Sequence, residues 1–262
     1  MFSVLKDILN SVRFLTVFRF KKNQKQFQGK SAFVESLQKS IKFFPLAGLF
    51  VGVVLAGVFF IFSRFLPVPA SVMLSIASLF IVTGGLHFDG LSDTADGFLA
   101  YLKTGERKRF HAAIKDTYTG FAGVAAILFY ILIIWVILSG GGLKFACFSL
   151  LSFPVAGRYS VVVLSYFLNT PEDFRGIGTV FTEGTDLLSF IVASILAGVI
   201  IFLLLGFAGF FSLLISIFFI IFLGLYFSKR FGGVNGDMLG FGVKTSEVVY
   251  MIALVGFYKI IA

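Results

Sequence analysis

The stretch SVMLSIASLFIVTGGLHFDGLSDTADG, residues 71–97, places an apolar run directly before a histidine and three aspartates. Asp89, Asp93 and Asp96 follow one another at intervals of four and three residues, so on a helix they lie within about 60° of arc on one face. Carboxylates so placed repel one another, and the glycines of the motif oppose helix formation further. Because local helix stability does not account for the motif, it predicts a bound cation.

The oxygen-rich motif indicates which cation is bound. Hard divalent ions prefer oxygen ligands, so Mg²⁺ is the simplest candidate. Five of the thirteen acidic residues of the chain fall between residues 89 and 119. Solvated surface charge is the alternative interpretation of these acids. Carboxylates beside an apolar span are costly unless they are paired or bound to metal, and this cost favours a metal site.

The composition of the chain predicts an integral membrane protein. Of its 262 residues, 58% are hydrophobic and 13% are charged, whereas soluble domains have about 25% charged residues. No polar segment is long enough to form a separate soluble domain, so residues 1–262 are predicted to form a single membrane-embedded, all-α domain. We expect the lipid bilayer as a partner and no nucleic acid.

Apolar segments of membrane-spanning length recur along the chain. Residues 1–43 are basic, and their apolar patch at 14–20 is too short to cross a hydrocarbon core of roughly 30 Å, so a cytoplasmic, partly interfacial segment is predicted. Six spans are predicted, followed by a shorter seventh whose complete crossing is left open. A tight hairpin at 206–209 separates the fifth span from the sixth. The seven segments are 44–62, 71–86, 120–138, 144–168, 189–205, 210–226 and 248–262.

The distribution of basic residues predicts the orientation of the chain. With a cytoplasmic N-terminus and seven spans, 18 of the 22 Lys and Arg residues lie in cytoplasmic segments. This is the asymmetry that the positive-inside rule describes. Three loops then face the cytoplasm together, at 89–119, 169–188 and 228–247, and the aspartate motif lies in the first of them.

Three further residues are candidates for the site. His87 precedes the first aspartate and is predicted to be a hydrogen-bond partner or proton carrier, with a structural role as the alternative. Arg158 lies within a span, where a guanidinium costs at least about 2.5 kcal/mol, so it should face the interior and pair with an aspartate or a phosphate. Asp237 lies in a glycine-bearing segment that could admit a ligand, although an ordinary Gly-Asp turn explains it equally well.

Several segments together resemble the cobalamin synthase family, the adenosylcobinamide-GDP ribazoletransferases. The aspartate motif is the most specific of them. The likeness extends over nearly the whole chain. The segments that carry it are FFPLAGLFVG at 43–52, LHFDGLSDTADG at 86–97, KDTYTGFAG at 115–123, RGIG at 175–178 and FGGVNGDMLG at 231–240, followed by Glu247.

The resemblance implies an Mg²⁺-dependent transferase in the prokaryotic cytoplasmic (inner) membrane, with its site facing the cytoplasm. In that reaction α-ribazole, or its 5′-phosphate, attacks the pyrophosphate of adenosylcobinamide-GDP, and GMP leaves. Such a displacement needs charge neutralisation on the pyrophosphate oxygens, which a carboxylate-held metal supplies. A CDP-alcohol phosphotransferase, which also has an aspartate-rich membrane motif, is the alternative. A transporter is favoured less, because the chain shows no paired repeats.

The resemblance also implies roles for individual residues. The predicted metal ligands are Asp89, Asp93, Asp96 and Asp116. The predicted proton acceptor is one of Asp96, Asp116 and His87. The predicted contacts to substrate and phosphate are Lys115, Arg158, Arg175, Gly232, Gly233, Gly236 and Asp237. The number of metal ions, the preference for free or phosphorylated α-ribazole and the oligomeric state are left open.

Overall fold

A computed structural model describes residues 2–18, 30–171, 174 and 176–261. These residues form helices and no strands, and a short 3₁₀ turn, Ile41–Phe43, precedes the first long apolar helix. The helices are α1 (Phe2–Leu15), α2 (Lys30–Ser40), α3 (Phe44–Phe62), α4 (Val68–Thr83), α5 (Leu86–Thr104), α6 (Arg107–Ile114), α7 (Phe121–Gly140), α8 (Gly142–Phe167), α9 (Ile177–Thr182), α10 (Leu187–Phe231) and α11 (Gly236–Ile261).

Five helical segments of the described chain are long and apolar enough to cross a membrane. α4 and α5 pass the same test only as a pair, bent by 92°. The chain is therefore a multi-pass, all-α membrane protein, as its composition predicts. The five segments are Ser31–Phe62, which contains α3, and Phe121–Gly140, Gly142–Phe167, Leu187–Phe231 and Gly236–Tyr258.

α10 reverses direction at Gly206, where φ is 60° and ψ is −147°. Glycine adopts such a conformation without a Cβ clash. Phe190, before the turn, stacks on Tyr166 with ring centroids 4.6 Å apart. After the turn, a Cβ added at Gly224 would lie 2.6 Å from Leu168 Cδ1. Because both halves contact the same end of α8, α10 is the helical hairpin that the sequence predicts.

α8 is the central helix of the bundle. In the most apolar stretch of α8, 83% of the residues are buried, compared with 22% in the corresponding stretches of α7 and α10. It packs against α3, α10 and α11. A Cβ added at Gly48 of α3 would lie 2.5 Å from the carbonyl oxygen of Pro154 in α8, which is the close approach that small residues permit between membrane helices. α7 and α10 expose their apolar faces instead, where lipid would cover them.

The bend between α4 and α5 places the aspartate motif. Gly84 and Gly85 both have positive φ, 59° and 75°, in the left-handed region that favours glycine. α5 therefore runs nearly perpendicular to α4. It does not continue the span that α4 forms and lies outside that span. The predicted loop at 89–119 is largely helical, since α5 and α6 both fall within it. The glycines of α5 are accommodated because neighbouring helices pack against them.

Two other segments have features that the sequence did not predict. α1, in the basic N-terminal segment, buries Val12 and Leu15 against the core, and the Val17 N–H donates to the Val82 carbonyl oxygen over 2.8 Å. α11 contains 26 residues and takes in much of the predicted loop at 228–247. The last span is thus longer than the sequence predicts, because its polar first half is buried inside the bundle.

Candidate active site

The close crossing of α5 and α11 organises the site. A Cβ added at Gly90 would lie 2.5 Å from the Asp237 carbonyl oxygen and 3.1 Å from the Gly240 Cα. Only residues without a side chain permit this approach of two helices. The crossing brings Asp89 and Asp93 of α5 next to Asp237 at the start of α11, so a residue predicted as a substrate contact joins the predicted metal ligands.

The carboxylates at this crossing act on one another. Burial, together with the charges of Asp89, Asp237 and Asp96, raises the pKa of Asp93 to about 6. Neighbouring carboxylates that must share a site disfavour each other's ionised form, and a bound cation reverses that effect. The electrostatics therefore fit the cation that the sequence predicts.

A cavity of about 390 Å³ opens beside the carboxylates. Its walls come from helices that are far apart in the sequence. Five of the predicted site residues line it: His87, Asp89, Lys115, Gly236 and Asp237. The remaining lining side chains that carry aromatic rings or an amide were not predicted from the sequence: Phe14, Phe44, Phe174, Phe181 and Asn235.

His87 lies on the wall of this cavity but is only 4% exposed. Its Nδ1 atom is buried and has no hydrogen-bond partner among the described residues. Buried polar atoms of native proteins normally have a partner, in the protein or in a bound molecule. The position of His87 thus fits the predicted hydrogen-bonding role. Burial and the charges of Arg158 and Lys244 hold the pKa of its imidazole well below the usual value, which opposes the predicted proton-carrying role.

Asp96 is held at the start of α7. Its Oδ2 atom accepts the Gly120 N–H over 2.7 Å, and its Oδ1 atom accepts the Gly123 N–H over 2.9 Å. A carboxylate here satisfies free N–H groups of the first helical turn and interacts favourably with the helix dipole. Asp96 therefore caps α7, a function that was not predicted from the sequence.

Asp116 and Lys115 follow α6. Asp116 is exposed, and its Oδ1 atom accepts the Tyr118 N–H over 3.1 Å; among the described residues no hydrogen bond joins it to the other aspartates. The Lys115 ammonium lies 4.5 Å from the centre of the Phe174 ring, at the edge of the cavity. Arg175, the predicted phosphate contact next to Phe174, lies outside the described residues.

The glycines between α10 and α11 have separate functions. Gly236 lines the cavity. Gly232 and Gly233 form the turn, with φ of 86° and 145°, and a Cβ added at Gly232 would lie 2.5 Å from an Arg107 guanidinium nitrogen. Neither Gly232 nor Gly233 is among the residues that line the cavity, so the conformation of the turn suffices to explain why they are glycines.

Arg158 is fully buried and does not line the cavity. Its Nη1 atom donates to Glu247 Oε1, so its partner in the structure is a glutamate rather than an aspartate or a phosphate. Glu247 Oε2 accepts the Tyr130 hydroxyl over 2.6 Å and the Lys244 ammonium over 3.0 Å. The Lys244 ammonium also lies 4.0 Å from the centre of the Phe88 ring. This network ties α8, α7 and α5 to α11 behind the carboxylates.

Comparisons with known proteins agree with this architecture. A family model described as cobalamin-5-phosphate synthase matches residues 7–255. The chain belongs to that family. It is 33% identical over 226 residues to the adenosylcobinamide-GDP ribazoletransferase of Geotalea daltonii, covering 84% of the chain and 87% of the relative.

Further members of the family show the same extent of similarity. The adenosylcobinamide-GDP ribazoletransferase of Clostridium novyi is 32% identical, with 85% of this chain and 88% of the relative covered. That of Clostridioides difficile is 29% identical, with 95% and 96% covered. No solved structure matches the chain. Because it belongs to this family, the chain is an enzyme of cobalamin synthesis.

Proposed function

We propose that the chain transfers the cobinamide phosphate of adenosylcobinamide-GDP to α-ribazole, or to its 5′-phosphate, with GMP as the leaving group. The relatives from Geotalea daltonii and Clostridium novyi are adenosylcobinamide-GDP ribazoletransferases, which supports this proposal. The observation that carries the proposal here is the convergence of Asp89 and Asp237, from two helices, on a cavity that also contains His87 and Lys115. These are groups that a reaction at a pyrophosphate needs.

The bond changes define what each group would do. A ribose hydroxyl oxygen of α-ribazole forms a new bond to the cobinamide-side phosphorus, the bond from that phosphorus to GMP breaks, and the hydroxyl proton leaves. Lys115, exposed at the cavity edge, would pair with phosphate oxygens. His87 would hydrogen-bond to the hydroxyl group or accept its proton through the Nδ1 atom, but burial and the charges of Arg158 and Lys244 lower the pKa of its imidazole and weaken it as a base. Asp96 and Asp116 are the alternative proton acceptors.

The chemistry of the donors fits Mg²⁺. Asp89, Asp93 and Asp237 offer carboxylate oxygens, the ligands that Mg²⁺ prefers. Among the described residues, no three His, Cys, Asp or Glu side chains are grouped closely enough to hold a metal by themselves. That agrees with the usual habit of Mg²⁺, which takes one or two carboxylates and completes its coordination with water and substrate phosphates. When bound, it would neutralise charge on the pyrophosphate.

Asp96 and Asp116 remain proposed ligands with different surroundings. Both oxygens of Asp96 already accept N–H groups of α7, although a carboxylate oxygen has a second lone pair for a metal. Asp116 is in the exposed segment after α6. Asp89 and Asp237, which both line the cavity, are therefore the favoured donors, and Asp93, Asp96 and Asp116 are further proposed ligands.

We also propose that the cavity faces the cytoplasm of a prokaryotic cell. The support is the charge asymmetry of the sequence, with 18 of 22 Lys and Arg residues in the segments assigned to the inner side. A cytoplasmic opening would give the site access to both soluble substrates.

An assay of membranes that contain the chain tests the function. Adenosylcobinamide-GDP, α-ribazole and Mg²⁺ should together give GMP, and omission of any one should abolish its release. A CDP-alcohol phosphotransferase would instead release CMP from a CDP-linked lipid. CMP release without GMP release would decide for that alternative.

A further inference from the structure

The cavity beside the carboxylates has two chemically different sides. Every described side chain that α1, α3, α8 and α9 contribute to it is apolar: Phe14, Leu15, Phe44, Val161, Ile177 and Phe181. The polar side chains of the lining come from α5, from the segment after α6 and from the α10–α11 connection with the start of α11: His87, Asp89, Lys115, Asn235 and Asp237. The division suggests a ligand with an apolar and a polar part.

Three of the six side chains on the apolar side are aromatic and contact one another. Phe14 and Phe181 meet edge to face with centroids 5.0 Å apart, and Phe44 and Phe181 do so at 5.3 Å. Phe44 is 0% exposed and Phe181 is 2% exposed, whereas Phe14 is only partly buried. Edge-to-face clusters of this kind are stable arrangements of aromatic side chains. Two buried rings therefore support one accessible ring, Phe14, on the lining of the cavity.

We propose that this cluster, the aromatic wall of Phe14, Phe44 and Phe181, binds the base of the acceptor nucleoside, a flat bicyclic ring that lacks exocyclic hydrogen-bonding groups. The proposal rests on the proposed function and assigns one of its substrates to one side of the cavity. The phosphates of the reacting molecules then lie on the other side of the cavity, where Lys115 would pair with them.

The wall favours such a base over guanine, the other bicyclic base in the reaction. Guanine carries carbonyl, ring N–H and amino groups, and burial of these groups without partners is unfavourable. Phe14, Phe44 and Phe181 offer no hydrogen-bonding atoms in their side chains. The base of α-ribazole is a benzimidazole. It loses little free energy when it leaves water, and it gains stacking or edge contacts with the rings. The wall thus distinguishes the acceptor from the GDP end of the donor.

Phe14 offers the sharpest test, because it is partly exposed and a replacement there disturbs the core least. In Phe14→Asn the wall acquires an amide, so the KM for α-ribazole should rise at least about tenfold, the scale of a changed contact in an apolar pocket. The KM for adenosylcobinamide-GDP should stay within about twofold. Phe14→Leu keeps an apolar surface and should have the smaller effect. Phe65→Asn is the matched control, since Phe65 is 81% exposed between α3 and α4, outside the cavity lining.

The two proposals fail in different ways. If the unaltered protein releases GMP but Phe14→Asn changes neither KM, or changes both equally, the assignment of the base is overturned and the transferase function stands. If the unaltered protein releases no GMP, the proposed transferase function is wrong. Equilibrium dialysis with α-ribazole and with guanosine then tests separately whether the aromatic wall binds the base. Selective binding of α-ribazole that Phe14→Asn abolishes would support the wall, and equal binding of both nucleosides would overturn it.

Discussion

Gly90 of α5 and Asp237 of α11 are in backbone contact, so close that a Cβ on Gly90 would lie 2.5 Å from the Asp237 carbonyl oxygen. The contact fixes the separation of the two helices at the point where their carboxylates meet. It also explains why a helix interrupted by glycine carries the motif. The missing side chain allows Asp89 and Asp237 to share one cavity.

Gly90→Ala should therefore damage the site more than the fold. The added methyl group must push α5 away from α11, and overpacking of this kind costs about 1–3 kcal/mol. We expect kcat/KM for GMP release to fall at least about tenfold, because small displacements of catalytic groups are expensive. Gly256→Ala, on α11, is the control, since nothing lies within 4 Å of its added Cβ. Equal activity of the two variants would contradict the proposed role of the crossing.

Glu247→Gln should destabilise the protein strongly. Glu247 is the shared anion of Arg158 and Lys244, and all three side chains are 0% exposed. Removal of one partner from a buried ion pair typically costs about 3–5 kcal/mol, because the remaining charges stay buried. Thermal unfolding in detergent should show a large fall in Tm. In the exposed pair of Lys39 and Glu35, Glu35→Gln should leave Tm unchanged, and similar Tm values for the two variants would refute the structural role of the network.

Asp96→Ala separates capping from chemistry. Loss of the cap on α7 should lower stability by about 1 kcal/mol. Asp186 provides the comparison, because its Oδ1 atom accepts the Ser189 N–H over 2.8 Å at the start of α10, outside the cavity lining. Asp186→Ala should lower Tm by a similar amount and retain activity, whereas Asp96→Ala should also lower kcat if Asp96 contacts the metal or the proton. Equal kcat values for the two variants would leave Asp96 with capping alone.

The sequence was sufficient for the features that local patterns determine. Apolar length predicted the spans, and the short glycine-bearing interval at 206–209 predicted the hairpin in α10. The likeness to the family was carried by the motif around Asp89. These features depend on neighbouring residues, so a linear reading is enough to find them.

The contacts between distant segments could not be predicted in this way. Asp237 joins Asp89 only because Gly90 and Gly240 let two helices cross, and no spacing in the sequence relates them. Phe14 lies in a segment too short to span, so its place in the cavity depends on the docking of α1. The pairing of Glu247 with Arg158 was not predicted, because the two residues come from different helices.

Mg²⁺-dependent GMP release by Asp237→Asn tests whether the crossing of α5 and α11 forms the active site, because only the fold brings this carboxylate to Asp89. With adenosylcobinamide-GDP, α-ribazole and saturating Mg²⁺, kcat should fall at least about a hundredfold relative to the unaltered protein, as it should for Asp89→Asn. Asp186→Asn, purified in the same detergent, should retain normal kcat. Unchanged kcat and Mg²⁺ dependence in Asp237→Asn would contradict an active site at this crossing.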